Sequence, residues 1–197
     1  SLAVLRNAGI KRTALWTPMI NSCGISEAKQ IWDSAGMTAE SLCVACLFED
    51  EALLREQLDL SDMFGARTLV IITGGFEALK SAGHDGDIDY ARSLLVERLA
   101  LAAELADSYR VRLAFEPLHP MVCGFRSIVS TLQESLDILD QMDNSHDIGL
   151  AIDTYALWWE HDLQEKLKRA GNRILNYHVS DWLADTRDLR LDRGMPG

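Results

Sequence analysis

The 197-residue chain contains no uninterrupted apolar run approaching the roughly 20 residues needed to cross a bilayer. Its first residues, SLAVLRNAGIKR, are short and broken by an arginine, so no secretory leader is read there and no membrane partner is expected. Cations are scarce: 19 Lys and Arg stand against 30 Asp and Glu, a net charge of −11. Binding to nucleic acid is driven by Lys and Arg releasing counterions from phosphates, so no nucleic-acid partner is expected. The balance still permits a small anionic substrate held by one or two local arginines. No G-x-G-x-x-G follows the first strand and no G-x-x-x-x-G-K-[ST] occurs, which removes the commonest nucleotide-binding forms of an open α/β sheet.

Cysteines are few as well. Cys23, Cys43, Cys46 and Cys123 lie mostly in apolar, strand-like contexts, which reads as reduced thiols in a cytoplasmic protein. Cys43-x-x-Cys46 has the spacing of a redox or zinc pair. In LCVACLF, which reads as a strand, residues three apart point to opposite faces, so the sulfurs diverge and a place in the buried core is expected. No internal repeat, low-complexity tract or linker divides the chain, and 1–197 reads as one domain.

What is present is an alternation. Short apolar runs at 12–16, 42–48, 68–73, 111–115, 148–152 and 174–177 read as strands buried on both faces, as in parallel sheets. Amphipathic stretches separate them. Residues 87–107 carry Ile88, Ala91, Leu95, Leu99, Ala102 and Ala106 on one face, with Asp87 as N-cap. A second helix runs from Ile128 to Leu139, with Ser130-x-x-Gln133 resembling a capping box, and a third covers about 161–170 before Gly171. Six such units imply right-handed βαβ connections and a parallel sheet. The fold class is α/β, an incomplete (β/α)8 barrel, since the full barrel takes about 250 residues. Both ends read as cut, with the first and last strands missing. Gly74-Gly75 reads only as a turn, and 81–89 as a long loop over the active-site face.

Three successive strands end on a residue able to bind metal: Glu116 after VRLAF, Asp153 after IGLAI and His178 after ILNY. Each alone has a structural explanation, since an acid after a strand often caps the next helix and a histidine there can satisfy backbone groups. Together they point into one pocket, because the C-terminal strand ends of such barrels converge on the active site. Two carboxylates and an imidazole suit Mn²⁺, Mg²⁺ or Co²⁺, with Zn²⁺ also possible.

The strings AFEPLHP, AIDTYALWW, YHVSDW and DRGMPG resemble the xylose-isomerase-like superfamily of sugar-phosphate isomerases and epimerases, over nearly the whole chain. The resemblance implies that Glu116, Asp153 and His178 bind a divalent metal, Mn²⁺ first among the choices, and that Glu116 also moves protons. It implies a fourth ligand and second acid/base on an eighth strand, and a substrate contact from Arg193. It departs at Ala156, where many relatives carry histidine. His119 and Asp181 are further substrate-site candidates, Asp181 also as a group orienting His178. Trp16 could wall a sugar face, and Trp158, Trp159 and Trp182 could wall the site or form a subunit contact in a homo-oligomer. Arg187 joins Arg193 as a candidate anion contact.

The function expected is isomerisation or epimerisation of a small sugar or sugar phosphate through an ene-diolate. The alternatives are dehydration of an inosose-like polyol on the same metal site, or a catalytically inactive ligand-binding relative. Phosphodiester cleavage is disfavoured, because five histidines are few for the multi-zinc site that chemistry uses in the family.

Overall fold

The computed structural model describes residues 2–81, 83, 87–142 and 146–197. Six parallel strands form one curled sheet in the order β1-β2-β3-β4-β5-β6. They are β1 (Arg12–Trp16), β2 (Thr38–Cys46), β3 (Thr68–Ile72), β4 (Arg112–Phe115), β5 (Ile148–Asp153) and β6 (Ile174–His178). A small antiparallel pair follows, β7 (Asp181–Trp182) and β8 (Arg193–Gly194). The helices are α1 (Leu2–Asn7), α2 (Thr17–Cys23), α3 (Ile25–Ala35), α4 (Glu51–Phe64), α5 (Phe76–Ser81), α6 (Ile88–Tyr109), α7 (Leu132–Leu139), α8 (Thr154–Leu157) and α9 (Leu163–Ala170). This is the expected incomplete (β/α)8 barrel. Among the described residues, no helix is long and apolar enough to cross a membrane. The expected loop at 81–89 lies partly outside the described residues, at 82 and 84–86.

The alternation of side chains along the strands divides the core in two. Leu69, Ile71, Leu113, Phe115, Leu150 and Ile152 belong to the main cluster with the apolar faces of the helices, including Leu95, Leu99 and Ala102 of α6. Val70, Ala114 and Ala151 form a second, inner cluster, with Cys43, Val44 and Leu175 against it. Continuing the period of two from Ala114 and Ala151 sends Glu116 and Asp153 to the same inner side.

Several local expectations need correction. Burial on both faces holds for β3 but not for β1, which alternates between exposed and half-buried, or for β6, which is half-buried except at the exposed Tyr177. Each has a neighbouring strand on one side only. The second strand spans 38–46 rather than 42–48. The α7 cap is Thr131, not Ser130: its side chain accepts from Glu134 N at 3.0 Å, and Glu134 returns a carboxylate oxygen to Ser130 N at 3.2 Å. Ile128 and Val129 precede the helix as buried, non-helical chain. Asp87 caps α6 as expected, accepting from Asp89 N and Tyr90 N.

A longer-range cap ties α7 to the segment before α9. Glu160, 6% exposed, accepts from Leu132 N at 2.7 Å and Gln133 N at 3.1 Å, and pairs with Lys166 at 2.8 Å. It therefore satisfies two amides that have no partner within their own helix. Glu160→Ala should cost about 1–3 kcal/mol, or roughly 2–12 °C in Tm; a thermal melt by circular dichroism checks it, and an unchanged Tm would refute the capping role.

Candidate metal centre

Glu116, Asp153 and His178 meet at the C-terminal ends of β4, β5 and β6. One ligand atom from each lies within 4.8 Å of the others. Asp153 is 2% exposed and Glu116 7%. Asp153 divides its two oxygens: Oδ1 accepts from Tyr155 N at 3.0 Å, capping α8, while Oδ2 accepts from Arg193 Nη1 at 2.7 Å. The helix-capping and site roles of this acid are thus compatible. Thr154 ties the strand ends together, donating to Ser180 O at 2.9 Å and accepting from Ser180 N at 3.1 Å.

His178 turns Nδ1 to Glu116 Oε1 at 3.0 Å and Nε2 toward Cys43 Sγ at 3.7 Å and Asn176 Nδ2 at 3.3 Å. Asn176 is itself held by Ser41 Oγ at 2.9 Å. Cys43 is therefore only half-buried: it packs against the inner cluster and also walls the site. A register shift between Cys43 and Ala45 accompanies this arrangement. Cys46 lines a separate cavity with Leu54 and Ala102, and burial pushes its thiol up to about 12.

Burial opposes a charge on His178, but hydrogen bonds to Cys43 and Glu116 outweigh it and raise the ring from 6.5 to about 10. A group raised on folding stabilises fully below its unfolded pKa and loses that contribution as pH rises through the folded value. Chelator-treated protein should therefore lose stability between about pH 6.5 and 10, and His178→Gln should lose less over the same window. Thermal melts across the window check this; parallel curves would contradict it. A metal needs the neutral ring, so its binding at neutral pH should release a proton from His178.

A cleft of about 300 Å³ opens over the three residues, lined also by Trp16, Cys43, Leu118, Arg126, Arg190 and Arg193. Trp16 stands on its wall, with the Arg190 guanidinium 5.6 Å from its ring centroid. Arg193 comes from the β7–β8 pair and lies 4.3 Å from the Tyr155 ring centroid. His119 lines an adjoining recess with Ala156, Tyr155 and Trp182, and its Nδ1 accepts from Met121 N at 3.2 Å. Burial lowers its pKa. Trp182 and Trp159 flank His119 at 5.1 and 5.9 Å, whereas Trp158 is 63% exposed.

Asp181 is exposed, accepts from Trp182 N and Gly197 N, and does not line the cleft. Arg187 lies out in solvent near Asp185, and the arginine that reaches the cleft from that loop is Arg190. Arg126, Arg190 and Cys43 are the polar lining residues that sequence reasoning missed. The first two sit in irregular loops without periodicity, so only the tertiary fold reveals them.

The donor set fits a divalent cation: two buried carboxylates and an imidazole, with a ring nitrogen already facing one carboxylate. A family model described as xylose isomerase-like TIM barrel matches residues 20–197. The chain belongs to that family. Protein SMc04130 of Sinorhizobium meliloti 1021 is 34% identical, with a TM-score of 0.82 over 98% of this chain and 72% of that one. At the level of fold alone, the chain is similar to the IOLI protein, solved with a bound zinc atom (17% identity, TM-score 0.73, 100% and 73% covered). It is likewise similar to 3-keto-D-glucoside 4-epimerase YcjR of E. coli (16% identity, TM-score 0.70, 91% and 72% covered). No curated protein sequence matches the chain.

Proposed function

We propose that the protein is a divalent-metal-dependent isomerase or epimerase of a small sugar or sugar phosphate, acting through an ene-diolate. The observation that carries this reading is the convergence of Glu116, Asp153 and His178 within 4.8 Å at the floor of one cleft. These three would hold the ion, with Mn²⁺ preferred for a donor set dominated by oxygen. When bound, the ion would polarise a substrate carbonyl and its neighbouring hydroxyl and stabilise the developing ene-diolate charge.

Glu116 is the residue proposed to move the proton. It is buried at the cleft floor and hydrogen-bonded to His178, so it is oriented before substrate arrives. Arg193 has two roles in this reading: it holds Asp153 in place and offers its remaining N–H donors to substrate oxygens. Trp16 supplies an apolar wall, and the His119 recess would receive the far end of the substrate.

Incubation in D₂O with Mn²⁺ and a panel of keto-sugars, followed by NMR, tests the reaction. Deuterium entry next to the carbonyl is expected, and Glu116→Gln should slow it by about 10²–10⁴-fold. Loss of water from an inosose without exchange into recovered substrate would identify a dehydratase instead. Failure of both with every substrate would reject catalysis through this site.

A further inference from the structure

We propose that Arg126 and Arg190 form an anion subsite beside the three candidate metal ligands, so that the substrate carries a phosphate or carboxylate group. The substrate class rests on the isomerase or epimerase reading above; the anion subsite rests on the following geometry.

Both arginines line the cleft over Glu116, Asp153 and His178, the His119 recess, and a further recess reaching Thr17, Asn21 and Gly75. They stand where the three spaces meet. Arg193 is paired with Asp153, but the side chains of Arg126 and Arg190 make no hydrogen bond or ion pair among the described residues. The Arg190 guanidinium lies over the face of Trp16, a geometry that leaves its in-plane N–H donors available. The acids nearest them have their hydrogen bonds with other groups: Glu116 Oε1 faces His178 Nδ1, Asp188 Oδ1 accepts from the backbone N of Arg190 and Leu191, and Asp192 Oδ2 accepts from Arg187 N. Glu49 shares the outer recess beside Cys46 and pairs with neither arginine. On a chain of net charge −11, two unpaired guanidiniums on one cleft are an arrangement that an anion explains.

The loop carrying Arg126 is anchored. Ser127, fully buried, lies 3.1 Å from Thr73 Oγ1, and Ile128 N donates to Thr73 Oγ1 at 2.9 Å. Phe76 N donates to Gly124 O at 2.9 Å. A Cβ on Gly75 would sit 2.2 Å from Phe125 O, so glycine is what permits this close crossing. The Gly74-Gly75 turn thus positions Arg126. Burial and the neighbouring Arg190 lower the Arg126 pKa, a penalty that a bound anion would relieve. Tyr155, 3% exposed, lines the recess with both arginines, and its hydroxyl has no hydrogen-bond partner among the described residues.

Calorimetric titration of chelator-treated protein with glycerol 3-phosphate, glycerate and glycerol tests the subsite without an ion to hold the anion. One or both anions should bind and glycerol should not, and the tighter anion distinguishes phosphate from carboxylate. Arg126→Gln and Arg190→Gln should each weaken binding by about tenfold or more. Arg126→Lys should retain part of it, which separates loss of charge from loss of fold. Anions binding no better than glycerol, or binding that survives both glutamine replacements, would overturn the subsite. Mn²⁺ titration of the same proteins separates the two readings. Mn²⁺ binding without anion binding rejects the subsite alone, whereas anion binding without Mn²⁺ rejects the metal centre alone.

Discussion

Asp153→Asn should weaken Mn²⁺ binding by at least about a hundredfold and abolish deuterium exchange into substrate. Loss of a partner outside the ligand set of a metal site already costs about 10- to 100-fold, and Asp153 is proposed as a direct ligand. The replacement is nearly isosteric and keeps an oxygen able to accept from Tyr155 N, so α8 keeps its cap. What changes is charge. Arg193, now 2.7 Å from Asp153 Oδ2, would face a neutral amide, adding a cation that repels the ion. Calorimetric titration of Mn²⁺ into both proteins, with melts to confirm folding, provides the measurement. An unchanged affinity would remove Asp153 from the ligand set.

Gly149→Ala should destabilise the protein by about 3 kcal/mol, near the upper end of ordinary overpacking costs. This corresponds to roughly 6–12 °C in Tm. A Cβ at Gly149 would lie 2.1 Å from Arg173 O and 2.7 Å from Leu175 Cγ. The first is backbone, so no rotamer change relieves it, and β5 would have to move away from the chain entering β6. Those strands end on Asp153 and His178, whose Cα positions are paired in register. Mn²⁺ affinity should therefore fall together with Tm, although Gly149 lies four residues from the nearest proposed ligand. A normal melt with normal Mn²⁺ binding would show that the strands tolerate the methyl group.

Much of the architecture is legible in the chain because its signals are local. RTALW and β1 coincide at 12–16, and Asp87 caps α6 where a short acceptor before an apolar stripe requires it. The errors are local competitions. Ser130 and Thr131 are both good caps, and the helix began at the one placed three residues before a glutamate rather than a glutamine. LCVACLF reads as continuous strand, but a register shift after Cys43 accompanies its approach to His178. A shift in pairing leaves no trace in residue type.

The sequence alone determined the parallel βα order and the three residues that end successive strands, because period and strand polarity together imply that those ends converge. It also placed Arg193 among the candidates for the site, through the DRGMPG turn. Only the tertiary structure showed Arg193 on Asp153, Cys43 on His178, and Arg126 with Arg190 over the cleft. Those contacts join segments from 40 to 135 residues apart, as Arg193–Asp153 and Cys43–His178 show. They depend on how loops return across the strand ends, and no periodic pattern in a loop encodes where it lands.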